Sequence, residues 1–435
     1  MFDREEEKLK EFGQSLDKTS ISEDELDAAI MKGFLQAKEG GVRKRRSIKW
    51  AFSAALVAII LLTFVTTIRV SPAFAAYVSN IPGMEKIVEM ISNDKGMMMA
   101  IENDYYQEIG EYVEKDGLRI TIDGAIADEQ GIVLFYSWDS EKKLNLAIEN
   151  VELTDRSGEN IHNSGSTHYG TYYGDGETTK QGMMEFYFQT PYHENEFLLS
   201  FDAYGEEYSI PFSLDETVKT KIVYDVNETA EIDGQKIHVR KVEVYPTRVA
   251  VHVEVDPDNT KQLMEIEDLR LVDETGETWG GISNGFSASG GPSDKEKIIY
   301  LQSNYFHEPK ELYLVLNRIQ AVDKDEAYIV IDTEEEEILK QPEGNKLRNL
   351  KIESGTLSLD VHADYEFNGH IFGETKDADG KLIESSSAFT TAEEEFVRRM
   401  GVSYEKNLEQ YKSPITIELV FYPEWIEGEA KIRIK

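Results

Sequence analysis

From about Tyr112 to the C-terminus, apolar and polar residues alternate with period two in short runs, separated by Gly, Asp, Asn and Ser turn signals. That pattern predicts antiparallel sheet. The runs recur in units of roughly 110 residues, three in all. Each unit opens with an alternating strand (Leu118–Ile122, Lys236–Arg240, Leu347–Ile352), followed by a second (Gly131–Tyr136, Arg248–Val253, Thr356–Val361). An Asp-x-x-Gly turn comes next, at Asp155–Gly158, Asp273–Gly276 and Asp377–Gly380. Asp caps the local backbone and Gly accepts positive φ, so each turn is expected to close a hairpin. Strong strands end each unit. They are Met184–Phe188, Glu196–Phe201 and Glu207–Phe212 in the first, and Ile298–Leu301, Glu311–Leu316 and Ala327–Ile331 in the second. The third ends with Ile415–Phe421 and Ala430–Ile434, and Thr391–Gln410 reads as a helix inserted before them. About seven short strands per roughly 100 residues predict a mostly β chain of tandem immunoglobulin-like sandwiches, over 111–216, 217–335 and 336–435.

The N-terminal part follows a different pattern. Trp50–Ile68 contains no charge, Pro or Gly, and its length matches the roughly 20 residues that a helix needs to cross a bilayer. Arg43, Lys44, Arg45, Arg46 and Lys49 precede it and Arg69 alone closely follows, so the positive-inside rule puts the N-terminus in the cytoplasm and the C-terminus outside. One transmembrane helix is thus expected within 49–70. A signal peptide cleaved after Ala73-Phe74-Ala75 is the alternative. The long apolar core, the intervening Arg69 and the patterned segment upstream favour a retained anchor.

Residues 1–46 form a short helical cytoplasmic tail in this reading. Ser22 and Glu25 make a capping box, Ile21 and Leu26 a hydrophobic staple, and Gly40-Gly41 a stop. Leu26, Ile30, Phe34 and Leu35 form one apolar stripe, and Leu9, Phe12 and Leu16 a weaker one. Two such stripes cannot bury each other fully in so short a tail. They read either as a loose hairpin without a partner or as a groove-binding ligand of a cytoplasmic protein. Residues 71–110 form a juxtamembrane segment, helical over Met84–Tyr106 with a weak boundary near Asn93–Gly96.

Composition narrows the chemistry. The net charge of −37 disfavours nucleic acid as a partner. With no cysteine, disulfides, thiolate metal sites and cysteine nucleophiles are excluded, and a large disulfide-free exterior domain fits a Gram-positive surface. The eight His (162, 168, 193, 238, 252, 307, 362, 370) form no metal or catalytic motif. Asp377-Ala-Asp379-Gly380 resembles the centre of an EF-hand loop, but Thr375 and Ser386 stand where its outer ligands belong. Glu334–Glu337 reads as a solvated charge run. The loop 162–176, rich in Gly, Tyr and Ser, suits either adaptable recognition or a flexible connection. No enzyme, metal or cofactor is expected.

Three features together carry a resemblance. They are the basic-flanked apolar helix running into Ile68-Arg-Val-Ser-Pro-Ala-Phe-Ala75, then Ile81-Pro-Gly83, then the β domains, with Leu26–Ile30 upstream. The chain resembles Gram-positive single-pass membrane proteins with an uncharacterised extracellular domain, a family associated with extracytoplasmic-function sigma factors and treated as anti-sigma factors. The His/Cys zinc motif of the best-known anti-sigma domains is absent. The resemblance implies a cytoplasmic sigma factor as the tail's partner and an envelope ligand or protein as the signal outside. The rival expectation is a cell-envelope adhesion or structural protein.

Overall fold

The computed structural model describes residues 84–158, 161, 163–169 (backbone), 176–188, 191–192, 195–214, 219–282, 288–290, 294–367 and 369–435. By its contacts the chain divides into two compact units, Met1–Ala75 and Ala76–Lys435, and the described residues all lie in the second. The expected tail helices, the partner-binding side chains Leu9, Phe12, Leu16, Leu26, Ile30 and Phe34, the basic residues Arg43, Lys44, Arg45, Arg46 and Lys49, and the expected span lie outside them. Among the described residues no helix is long and apolar enough to cross a membrane.

Two short helices come first, α1 (Met84–Ile91) and α2 (Lys95–Glu102). The break falls at Asp94, whose side chain accepts from Met97 N and so caps α2. The described residues after them are strand and turn, apart from single 3-10 turns at Lys324–Glu326 and Leu408–Gln410.

The first sandwich holds β1 (Gln107–Lys115), β2 (Leu118–Asp128), β3 (Gly131–Leu144), β4 (Ile148–Asp155), β5 (Asn163–Tyr169), β6 (Glu177–Phe188), β7 (Glu196–Ala203) and β8 (Glu206–Ser213). One sheet runs β1-β2-β3-β6-β5 and the other β4-β7-β8. Alternation puts Tyr208, Ile210 and Phe212 of β8 inward, against Phe197, Phe201 and Phe186. Each such side chain contributes about 1.5–3 kcal/mol by leaving water.

The second region contains β9 (Ile222–Ile232), β10 (Gln235–Val244), β11 (Arg248–Val255), β12 (Lys261–Ile266), β13 (Leu269–Asp273), β14 (Thr278–Trp279), β15 (Ala288–Ser289), β16 (Glu296–Gln302) and β17 (Leu312–Asp323). One sheet runs β15-β16-β11-β10-β9. In the other, β17 carries β12 and β13 along one edge. The third contains β18 (Tyr328–Asp332), β19 (Glu337–Lys340), β20 (Leu347–Glu353), β21 (Thr356–His362), β22 (Phe372–Lys376), β23 (Ser385–Glu394), β24 (Val397–Tyr404) and β25 (Ile415–Leu419), in sheets β19-β18-β25-β22 and β20-β21-β24-β23. Last comes β26 (Trp425–Arg433).

The second and third units exchange their closing strands. In the first sandwich β8 closes against β7, Phe197 level with Phe212 and Leu199 with Ile210. The equivalent place beside β17 is filled by β26, with Leu314 level with Ile432 and Ile319 with Ile426. β18, expected to close the second unit, lies instead beside β25 and buries Ile329 and Ile331 in the third core. A boundary at 335/336 therefore cuts the turn between β18 and β19 rather than separating two cores.

Two other expectations are corrected. Thr391–Gln410 is not a helix. Its first part ends β23, Val397–Tyr404 is β24, and only Leu408–Gln410 makes a single 3-10 turn. Helix propensity in this run is overridden by the ladders of β24 with β23 and β21, because intrinsic propensity is worth only tenths of a kcal/mol per residue. The three Asp-x-x-Gly turns form as expected, Asp Oδ1 accepting from Ser157 N (2.8 Å), Thr275 N (2.8 Å) and Asp379 N (3.0 Å). The first does not close a hairpin, however, because β4 pairs with β7 while the chain passes on to β5 in the other sheet.

Candidate functional site

A buried polar cluster joins the first sandwich to the second, with the two helices packed beside it. It is built from outward faces. Alternation turns Glu185 of β6 and Arg248 of β11 away from their own cores, and each then meets the neighbouring sandwich.

Arg248, 1% exposed, forms an ion pair with Glu185. Its guanidinium sits 5.2 Å from the centre of the Tyr187 ring and 5.5 Å from that of Tyr300. The two rings are edge-on at 5.2 Å and their hydroxyls are hydrogen-bonded. The Arg248 Nε and Nη1 have no acceptor among the described residues. Asp128, also 1% exposed, reaches across from the end of β2. Its Oδ2 accepts from Thr247 N (2.9 Å) and Thr247 Oγ1 (2.5 Å), and its Oδ1 from Gln130 N (2.8 Å). Burial pushes its carboxyl up, and these donors and Arg248 oppose that.

Glu243 anchors the outer rim. It accepts from His252 Nε2 (2.7 Å), Lys241 Nζ (2.9 Å) and Lys221 Nζ (3.1 Å). Burial alone would raise its pKa, but these three donors outweigh it and hold the carboxyl well below the usual range. Lys221 also stands 3.6 Å from Glu129 of the first sandwich.

The helices complete the joint. Tyr105, just past α2, donates its hydroxyl to Ala127 O (2.7 Å), and its ring lies tilted against that of Phe306 with centroids 5.4 Å apart. Gln302 Nε2 donates to Asn93 O (2.9 Å), and Lys95 Nζ to Thr278 O (3.0 Å). Gly96 lies so close to β16's end that a Cβ there would fall 2.5 Å from Ser303 N. Between helices and sandwiches is a cavity of about 40 Å³, lined by Asp94, Glu185, Thr247, Met90, Met97 and Met183 among others. A water needs ~10–15 Å³ on this measure, so the cavity has room for a few waters beside its carboxylates.

Burial pushes Asp94 up to about 6 from its ordinary 3.8. A carboxyl raised on folding costs stability as it ionises. That cost is absent below about pH 4, grows through pH 6, and is constant above, at about 1–3 kcal/mol. Asp94→Asn keeps a capping oxygen and removes the charge. Urea unfolding should show it more stable than the parent at pH 7.5 and indistinguishable at pH 4. Equal stability at both would refute the cost.

A second concavity, about 570 Å³, lies on the outer face of β9-β10-β11-β16, lined by Asp225, Asn227, Arg240, Lys241, His252 and Glu296 among others. Arg240 there pairs with Glu296 (3.1 Å). Among the described residues no group of three or more His, Cys, Asp or Glu could hold a metal ion.

Of the histidines read from the sequence, His238 bonds Thr229 Oγ1 on a sheet face (3.2 Å) and His307 bonds Asp273 (2.9 Å). His252 belongs to the joint. Neither Arg248 nor Glu185 is legible as a site residue in the sequence, because outward alternation looks the same whether water or another sandwich covers it.

Residues 43–140 match a domain of unknown function (DUF4179), and residues 221–353 match a family of unknown function (DUF5643). No curated protein matches. Among solved structures, "The crystal structure of the conserved domain protein from Bacillus anthracis" is 17% identical, with 54% of this chain and 84% of that one covered and a TM-score of 0.39.

Proposed function

We propose that the chain is a single-pass membrane signal transducer of the anti-sigma type. Its tail is cytoplasmic and sequesters a sigma factor, one helix near 49–70 spans the membrane, and immunoglobulin-like sandwiches outside sense an envelope signal. The observation that carries this reading is the seat of α1 and α2. These helices begin about fifteen residues after the apolar segment and are wedged where the first two sandwiches meet, so in this reading a change in that joint is passed to the chain on the membrane side. The DUF4179 match agrees, since it takes in the basic flank, the apolar segment, both helices and the first strands together. The tail stripes supply the cytoplasmic half, since grooves on a sigma factor would cover Leu9, Phe12, Leu16, Leu26, Ile30 and Phe34.

Replacing Leu26, Ile30 and Phe34 with Asp in the full chain should free the sigma factor, and transcription from its promoters should rise several-fold. Unchanged transcription, with the protein still in the membrane, would overturn the reading. The envelope adhesion or structural role would then take its place.

A further inference from the structure

The surface of the third region holds a long edge strand with no core beneath it. All ten residues of β23 are exposed, on both faces. The strand pairs with β24 along one edge only, and its register shifts lie at its two ends. Its other edge is a row of free backbone donors and acceptors, which proteins ordinarily guard with charge, Pro or a mid-strand bulge. The edge strands β1, β9 and β20 carry charged residues along their length and β8 carries Pro211, whereas the shorter β5 is uncharged and β23 has charge only at its last two positions, Glu393 and Glu394. In β23 the run Ser385–Ala392 has no charge and no Pro, in a chain of net charge −37. Phe389 lies flat across Gly401 of β24, so the strand is braced without needing a core beneath it.

We infer that β23 pairs antiparallel with β23 of a second copy of this chain, joining two four-stranded sheets into one. Identical edges related by a two-fold axis are self-complementary and close the assembly at a dimer. The charge pattern selects the register. With Ala388 level with its own counterpart, Ser385 meets Thr391 and no carboxylate faces another. Glu384 stands level with Ala392 of the other copy, and the residues before it leave the edge, since Ile383 N donates to Thr375 O of the other sheet. Moving the axis to Phe389 would set Glu384 against Glu394. A neutral strand is also the place where two strongly acidic molecules approach with least repulsion.

The chain has no cysteine, so one introduced thiol reports the contact. Ala388→Cys in the purified full chain should give a disulfide-linked dimer on mild oxidation, reversed by reductant. Tyr112→Cys, exposed on the first sandwich, should stay monomeric. Ala388→Lys should shift the full chain from dimer to monomer in sedimentation while leaving its thermal unfolding unchanged. A full chain that sediments as a monomer, an Ala388→Cys protein that does not cross-link, or a dimer untouched by Ala388→Lys would each overturn the proposal. A monomer would leave β23's edge to an extended segment of another protein.

Discussion

Deleting residues 425–435 will unfold the second sandwich, although the deleted strand lies roughly a hundred residues beyond the expected end of that unit. Ile426 and Ile432 of β26 are buried in the core that holds Leu314, Leu316 and Ile319. Losing each side chain costs about 2–5 kcal/mol, and both together approach the 5–15 kcal/mol that holds a domain folded. The deletion also strips β17 of one whole ladder. β18 cannot replace β26, because β25 holds it in the third core. Hydrogen exchange on the truncated chain should show lost protection across β10, β11 and β17, with β2, β3 and β6 of the first sandwich still protected. Retained protection in β17 would mean that the exchanged strand is dispensable. Ile432→Ala offers a milder version, with an expected loss of about 2–4 kcal/mol.

Arg248→Met should be the most damaging single substitution at the joint. The methionine fills much of the space between Tyr187 and Tyr300, but Glu185 is left buried without its partner. Breaking a buried pair from one side costs about 3–5 kcal/mol, whereas replacing both members with apolar residues is often neutral. Arg248→Met with Glu185→Met should therefore recover most of the loss, and the cycle separates the stranded charge from the packing. The damage should be read as faster exchange in α1, α2 and the Asp128–Gly131 turn, before any change in β21 and β24 of the third region. A loss below about 1 kcal/mol for the single substitution would show that the pair is already solvated. If the joint transmits the signal, the same variant should also raise basal sigma-factor release.

Much of the local structure can be read from the residues. Period-two alternation located most of the core strands, such as β2, β3, β6, β7, β8, β10, β11, β17, β20, β21 and β25, because inward and outward positions differ in apolarity whatever lies above them, but it missed β5, β9, β12, β23 and β24. The Asp-x-x-Gly turns follow from the carboxylate's reach to the backbone two residues on. The weak point expected near Asn93–Gly96 is the gap between α1 and α2. The run Thr391–Gln410 misled, because many of its residues favour a helix in isolation, and the pairing of β23 with β24 and of β24 with β21 holds most of them extended. The joint was illegible for a related reason. Asp128, Glu185 and Arg248 occupy outward positions, and alternation says which way a side chain points but not what covers it.

Sequence by itself thus determined the mostly β character of the chain, the turns, and the faces of the strands it located, all properties set within a few residues. The tertiary structure alone decided which strand closes which sandwich. Tyr328–Asp332 and Trp425–Arg433 are both alternating apolar strands, so either satisfies the edge of β17 by composition. The choice between them depends on where β25 lies, close to a hundred residues away from β17. The same distant geometry turned three surface charges into the buried joint between the first two sandwiches.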